Sequence, residues 1–353
     1  MATTLLTRLA LNPALTASLL CLLTARPRTT LQTRLTTLVP PLRNPRTHAR
    51  LARALKWLLA LGLAARANRV LNALALNNYR LRAATARWAW DKEVAVVTGG
   101  CSGIGALVVA RLAARGVRVA VLDVQGLPAG MADDPRITYF ACDITNADAV
   151  GAAASHIRAT LGAPSVLVNN AGILSAHTIL ATSQEDLRRV FAVNVLSNWT
   201  TAQAFLPDMI AADKGHVATV ASTASYVGVA GMADYTASKA AVLSFHEGLT
   251  QELRLSYNAP NVLTTSIHPN WVRTPLLAPV EAELKKRAAI VMEPEDVADA
   301  IAKQVFECRG AQVFLPASAG RTSLIRALPN WMQERIRLGV SKTLTDSVKI
   351  GGM

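Results

Sequence analysis

The first ninety residues contain no aspartate or glutamate, yet they carry fourteen of the chain's 37 arginines and lysines. The other 263 residues hold the remaining 23 basic side chains against 23 acidic ones, so the whole +14 excess lies in an N-terminal extension. A neutral main body offers no extended basic surface for nucleic acid, and the extension itself is dominated by leucine, alanine and threonine. Cysteine is scarce as well. Cys21, Cys101, Cys142 and Cys308 form no C-x-x-C pair, which argues against a zinc site or a disulfide framework and fits a reducing compartment. The six histidines, His48, His156, His177, His216, His246 and His268, have no motif partner and read as surface or packing residues. Long apolar runs are missing too. Leu9 to Ala25 is uncharged for seventeen residues, at the lower limit for a spanning helix of ~20 residues. Asn12 and Pro13 interrupt it. Trp57 to Ala65 is shorter still, and Pro40-Pro41 and Asn44-Pro45 break the chain between the two.

What is present is chemistry at defined spacings. Tyr235 and Lys239 lie four apart, which on a helix puts them on one face. An ammonium beside a phenol favours the phenolate, so the pair predicts a tyrosine of lowered pKa that exchanges a proton with an alcohol or ketone. Ser222 lies thirteen residues upstream, placed to hold a substrate oxygen. Asn194 precedes it by twenty-eight, a candidate holder of a relay water. Further upstream, Val94 to Thr98 is an apolar strand. The turn Gly99-Gly100-Cys101-Ser102-Gly103-Ile104-Gly105 and an alanine-rich helix follow it. Glycines let the backbone approach a pyrophosphate, and a helix N-terminus supplies N–H groups and positive dipole. The next apolar run ends at Asp123, where a dinucleotide fold puts the acid that binds the ribose hydroxyls. A carboxylate there repels a 2′-phosphate, so NAD is the expected cofactor and NADP the alternative.

Together with Asn170-Ala171-Gly172, these motifs resemble the short-chain dehydrogenase/reductase family over residues 91–318. The resemblance implies Tyr235 as catalytic acid/base, with Lys239 lowering its pKa and binding the nicotinamide ribose. It implies Ser222 as the ligand of the substrate oxygen and Asn194 as holder of the relay water. It assigns cofactor contacts to Gly99, Ser102, Gly103, Ile104, Gly105 and Asp123. Asp143 and Ile144 would lie beside the adenine, and Asn170, Ala171 and Gly172 would border the cofactor. Pro269, Val272 and Thr274 would complete its nicotinamide end. One departure is visible: the chain has Pro269-Asn270 where the family usually has Pro-Gly, and asparagine tolerates the left-handed conformation better than other side chains.

Apolar runs at 94–98, 117–122, 137–141, 166–169, 216–221, 262–267 and 312–315 alternate with helical stretches. This predicts an α/β doubly wound Rossmann fold, a seven-stranded, mostly parallel sheet flanked by helices. Thr182 and Glu185 read as a capping box opening the helix that carries Asn194. Residues 275–293 read as a mobile, substrate-choosing lid. The expected organisation is a basic hydrophobic extension at 1–90, the catalytic domain at 91–318 and an amphipathic tail at 319–353. An N-terminal hydrophobic extension is similar to that of the membrane-associated retinol and 17-beta-hydroxysteroid dehydrogenases. This likeness implies a lipophilic alcohol or ketone as substrate. It also implies an endoplasmic reticulum or lipid-droplet surface as the membrane partner, with the catalytic domain in the cytosol. The anchor reads as an interfacial or spanning helix. The family also implies a homodimer or tetramer. The alternatives are a mitochondrial dehydrogenase or ketoacyl reductase with a cleaved transit peptide, and a catalytically silent, membrane-tethered nucleotide-binding module.

Overall fold

A computed structural model describes residues 9–24, 39, 41, 44–286 and 288–342; parts of the N-terminal extension and the end of the C-terminal tail lie outside them. The chain forms two compact units, 1–75 and 76–353. In the first, two helices among the described residues start at Asn-Pro pairs. The Asn12 side-chain oxygen accepts from the Ala14 N–H at 3.0 Å to open α1 (Pro13–Thr24). Asn44 accepts from the Arg46 N–H at 2.9 Å to open α2 (Pro45–Leu76). Asparagine at the cap and proline in the first turn are favoured helix starters, so the residues expected to break helices here begin them. His48 Nε2 donates to the Leu23 carbonyl at 3.0 Å, and the Leu11 carbonyl rests where a Cβ on Gly62 would stand. These two contacts make an antiparallel hairpin. Twelve helical residues extend ~18 Å, well short of a ~30 Å hydrocarbon core. The longer α2 carries Arg50, Arg53, Lys56, Arg66 and Arg69. Among the described residues no helix is long and apolar enough to cross a membrane.

The second unit is a seven-stranded sheet in the order β3-β2-β1-β4-β5-β6-β7, with every pair parallel. The strands are β1 (Val94–Thr98), β2 (Arg118–Asp123), β3 (Ile137–Ala141), β4 (Val166–Asn169), β5 (Gly215–Val220), β6 (Val262–Pro269) and β7 (Ala311–Leu315). Their valine-rich sequences leave β1, β4, β5 and β6 wholly buried, as expected of strands covered on both faces. Helices α3 (Gly103–Ala114), α4 (Ala147–Thr160), α5 (Gln184–Phe191), α6 (Ser197–Ala211), α7 (Ala233–Leu255) and α8 (Pro294–Glu307) flank the sheet, and α9 (Asn330–Ser341) follows β7. Leu112, Val108, Ile301 and Val305 of α3 and α8 fill one face. Ile157, Phe205, Met209 and Leu249 of α4, α6 and α7 fill the other. Strand order reverses between β1 and β4, and that reversal opens a crevice at the carboxyl ends of the strands.

Two local expectations are corrected. The cap of α5 is Ser183, whose hydroxyl accepts the Asp186 N–H at 2.9 Å, so the box is shifted by one residue from Thr182 and Glu185. The helix carrying Asn194 is not continuous either: a π-helical turn, Ala192–Leu196, separates α5 from α6. Such turns recur at functional sites because they redirect one residue out of helical register.

Three histidines are sealed against the sheet. His216 Nε2 pairs with Thr265 Oγ1 at 2.8 Å, and His246 Nδ1 with Thr219 Oγ1 at 3.2 Å. His268 lies between Ser222 and Ser266. Burial pulls His216 and His268 down to about 4 and His246 to about 3. Below pH ~6.5 the unfolded chain therefore takes up protons that the folded one refuses. Stability should fall as pH drops from there to about 4. The melting temperature should fall steeply over this range, and His246→Gln should flatten the slope; an unchanged slope would refute the assignment.

Candidate active site

The crevice is built from strand ends. β1 and β4 are tied where they terminate: Thr98 Oγ1 accepts the N–H groups of Asn170 and Ala171, both at 3.1 Å. Asn170 Nδ2 donates to the carbonyls of Thr98 and Gly99 at 3.1 Å. α3 begins immediately beyond, at Gly103, where φ is +51°. A Cβ on Gly103 would press on Thr274 at 3.2 Å, and one on Gly105 would stand 2.0 Å from the Gly99 carbonyl. Only glycine lets this turn close. Asp123, at the end of β2, faces the turn. Its carboxylate accepts the Cys101 N–H and the Gln125 N–H, each at 2.9 Å, with acceptor capacity left over. Asp143 closes its own turn on Thr145.

At the other end of the crevice lies the tyrosine. Tyr235 and Lys239 sit in the first two turns of α7, both buried. The Tyr235 phenol and the Ser222 hydroxyl line the same stretch of the crevice, close enough for the serine to offset part of the phenol's burial. Ser222 Oγ accepts the Ala224 N–H at 3.1 Å and donates to the Pro269 carbonyl at 3.4 Å. Lys239 Nζ donates to the Val220 carbonyl at 2.9 Å and lies 5.8 Å from the Tyr235 ring centre. Burial pushes Tyr235 up to about 12 against the smaller opposing pull of Ser222, and brings Lys239 down to about 8. The lowered tyrosine pKa expected from the Tyr–Lys spacing is therefore not what this arrangement yields by itself. Desolvation of the phenol outweighs an ammonium held by a backbone carbonyl.

A single cavity of about 600 Å³ joins the two ends. It is lined by Gly99, Ser102, Gly103, Ile104, Asp123, Asp143 and Ile144, then by Asn170, Ala171 and Gly172, and finally by Ser222, Tyr235, Lys239, Pro269, Val272 and Thr274. Gly105 lies behind the turn as packing. Asn194 does not line the cavity. Its amide is spent on Ile173, accepting from the N–H at 2.8 Å and donating to the carbonyl at 2.9 Å, and on Ser238 Oγ at 3.0 Å. Its side chain thus holds the Gly172–Ile173 turn.

Sequence reasoning missed the apolar half of the wall. Leu174, Val227, Val229, Met232, Trp271 and Val340 line it, and most belong to one cluster with Tyr235. Val340 comes from α9, whose Ser341 Oγ accepts the Ala230 N–H at 3.0 Å. The amphipathic spacing of the tail pointed there. The stretch 275–293 adds Pro275, Leu276, Leu277, Ala278 and Pro279 to the wall, followed by a short helix, Glu281–Lys286.

The short chain dehydrogenase family model matches residues 93–285, and the chain belongs to that family. Dehydrogenase RED2 of Cochliobolus heterostrophus is 40% identical over 210 residues, covering 60% of this chain and 78% of that protein. Estradiol 17-beta-dehydrogenase 11 of Homo sapiens is 32% identical over 244 residues, covering 67% and 79%. Among solved structures, 3-ketoacyl-(acyl-carrier-protein) reductase from Brucella melitensis complexed with NADH superposes with a TM-score of 0.57. It shares 25% identity over 64% of this chain and 98% of that one. The protein is thus an oxidoreductase of a family that acts on CH–OH groups with a nicotinamide dinucleotide.

Gly105→Ala should cost ~2 kcal/mol or more of stability, because the clash is with backbone. It should also weaken NADH binding, read by fluorescence titration and chemical denaturation. Wild-type values for both would show that the turn has room the geometry denies it.

Proposed function

We propose that the protein is an NAD-dependent dehydrogenase or reductase of a lipophilic alcohol and its ketone or aldehyde, with Tyr235 as the proton carrier. One observation carries the reading: Ser222, Tyr235 and the buried Lys239 line one cavity together with the glycine turn and Asp123, with apolar side chains beside the tyrosine. The residues fit a dinucleotide. Gly172 brings bare backbone to the cavity wall beside Lys239 Nζ, and the first turn of α3 offers its N–H groups. Asp123 would hold the ribose hydroxyls and disfavour a 2′-phosphate, and Lys239 would hold the second ribose. Bound there, a nicotinamide dinucleotide would supply the hydride acceptor or donor.

The chain's own part is to place and protonate the substrate oxygen. Ser222 and Tyr235 converge as two hydroxyl groups on one acceptor, and the wall from Leu174 to Val340 takes the apolar remainder while excluding water. With Tyr235 pushed up to about 12, the phenol is protonated at neutral pH and ready to give its proton to a developing alkoxide. Carbonyl reduction is then favoured near neutrality. Alcohol oxidation, which needs the phenolate, should accelerate as pH rises. The name of one relative, an estradiol dehydrogenase, supports a lipophilic substrate.

Tyr235→Phe should lower turnover by ~10²–10⁴-fold, the worth of a general acid/base, while leaving NADH binding intact. Wild-type turnover in that variant would remove Tyr235 from the mechanism; NADH binding without turnover of any alcohol or carbonyl by the wild type would favour the silent module. In the same titration NADH should bind more tightly than NADPH, and Asp123→Ala should erase the difference. A preference for NADPH would overturn the reading of Asp123.

The N-terminal unit supports an interfacial anchor at an endoplasmic reticulum or lipid-droplet surface. Trp57, Leu61, Leu63, Val70 and Leu71 are exposed on α2 among arginines with no acid to oppose them, the pattern of a helix lying in a headgroup layer. The exposed Leu196 and Trp199, beside α6 and α7, support a homodimer through those helices. The full chain should float with phosphatidylserine-containing vesicles, and Trp57→Glu with Leu61→Glu should abolish flotation. Flotation unaffected by the two glutamates would place the anchor elsewhere.

A further inference from the structure

We infer that His268 is a positioning residue for the catalytic serine, taking over where the β5–β6 ladder stops. The inference rests on the functional reading just given. The last backbone bond of the ladder runs from the Ala221 N–H to the Ile267 carbonyl at 2.9 Å. In a parallel pair the next bond would run from the N–H of residue 269 back to the Ala221 carbonyl. Residue 269 is proline and has no N–H to give. Ser222 is therefore the first residue beyond the ladder, and regular pairing no longer holds it.

Side chains hold it instead. His268 Nδ1 lies 3.1 Å from the Ser222 carbonyl oxygen. Since that oxygen only accepts, Nδ1 carries the proton and donates. Nε2 is then the acceptor, and Ser266 Oγ donates to it at 3.1 Å. One tautomer satisfies both contacts. The ring has little freedom to turn: it is fully buried and stacks on Phe314 with centres 4.8 Å apart. Tyr226 stands against it at 5.3 Å, its hydroxyl held by Gln312 Nε2 at 2.7 Å. The backbone of Ser222 is thus fixed by an imidazole that is itself fixed by two strands. From that backbone the Ser222 hydroxyl reaches Tyr235. His268 does not line the cavity and touches no substrate; it acts through Ser222.

The test compares His268→Phe, which keeps the stacked ring and loses both nitrogens, with His268→Asn and His268→Gln. The asparagine amide nitrogen falls near the place of Nδ1, and the glutamine nitrogen near that of Nε2. A misplacement of about an ångström at a reacting group costs ~100-fold. The phenylalanine variant should therefore lose ~10–100-fold in kcat, with its NADH dissociation constant unchanged. Asparagine should restore most of the loss and glutamine little of it. In a Ser222→Ala background, His268→Phe should cost nothing further, because residues that act through one another are not additive.

Wild-type kcat in His268→Phe would overturn the inference. So would equal losses in the asparagine and glutamine variants that track their melting temperatures, since that is the mark of a merely structural side chain. The asparagine–glutamine comparison decides the matter even if the phenylalanine variant fails to fold. A wild-type enzyme that binds NADH but turns over no alcohol or carbonyl would sink the functional reading and this inference with it. Turnover by the wild type with an indifferent His268 would sink the inference alone.

Discussion

A buried ammonium needs an acceptor, and here the acceptor is the carbonyl of Val220, the last residue of β5. The geometry of the site follows from where that strand ends. One residue later the ladder to β6 is exhausted, and Ser222 stands free of it. The chain turns away through a short 3₁₀ segment, Thr223–Tyr226, and returns as α7, bringing Tyr235 and Lys239 back over the strand end. Serine, tyrosine and lysine thus meet because one strand stops and one helix starts at the same level of the sheet. Desolvation sets the chemistry of the trio. It pushes the phenol of Tyr235 up to about 12 and brings Lys239 down to about 8.

The cofactor end obeys a different constraint, the closeness of backbone to backbone. Thr98 and Asn170 lace the ends of β1 and β4 with four hydrogen bonds, at the place where strand order reverses. α3 can then start so near the Gly99 carbonyl that no side chain fits at Gly105. Asp123 serves both roles there. Its bonds to the N–H groups of Cys101 and Gln125 fix the turn, and its carboxylate faces the space where ribose hydroxyls would lie. Such a residue shapes the pocket through its own backbone bonds, whichever dinucleotide binds.

Much of this was legible in the sequence, for a physical reason. Parallel strands buried on both faces are written as unbroken apolar runs, so all seven could be found to within a residue or two of their ends. Motifs that need glycine, or a helical spacing of four, are equally local. What stayed hidden depended on contacts between distant segments. The π-helical turn at Ala192–Leu196 has no local signature. Asn194 matched a motif, but only the fold shows its amide spent on the Ile173 backbone. The expected lowering of the tyrosine pKa failed because spacing records neighbours and not solvent. His268 read as packing because its partners, Ser222 and Phe314, come from segments forty-six residues away on either side. The missing N–H of Pro269, which gives the histidine its task, was nonetheless in plain view.

The N-terminal unit shows the limit of hydropathy as a guide. Its apolar runs suggested an anchor, and Asn12 and Asn44 suggested interruptions. In the folded chain those asparagines are caps, and the runs become two helices of unequal length folded against each other. An antiparallel pair buries only a stripe of each helix, so much of the leucine surface remains outside. Charge of a single sign on the same helices leaves them without internal ion pairs of the acid–base kind. Both features bear on what can satisfy this unit. Its apolar surface calls for a non-aqueous contact, and its arginines call for anions the chain does not supply there. The proposed phospholipid contact would offer both within a few ångströms of depth, whereas ordinary aqueous solvent offers only the second.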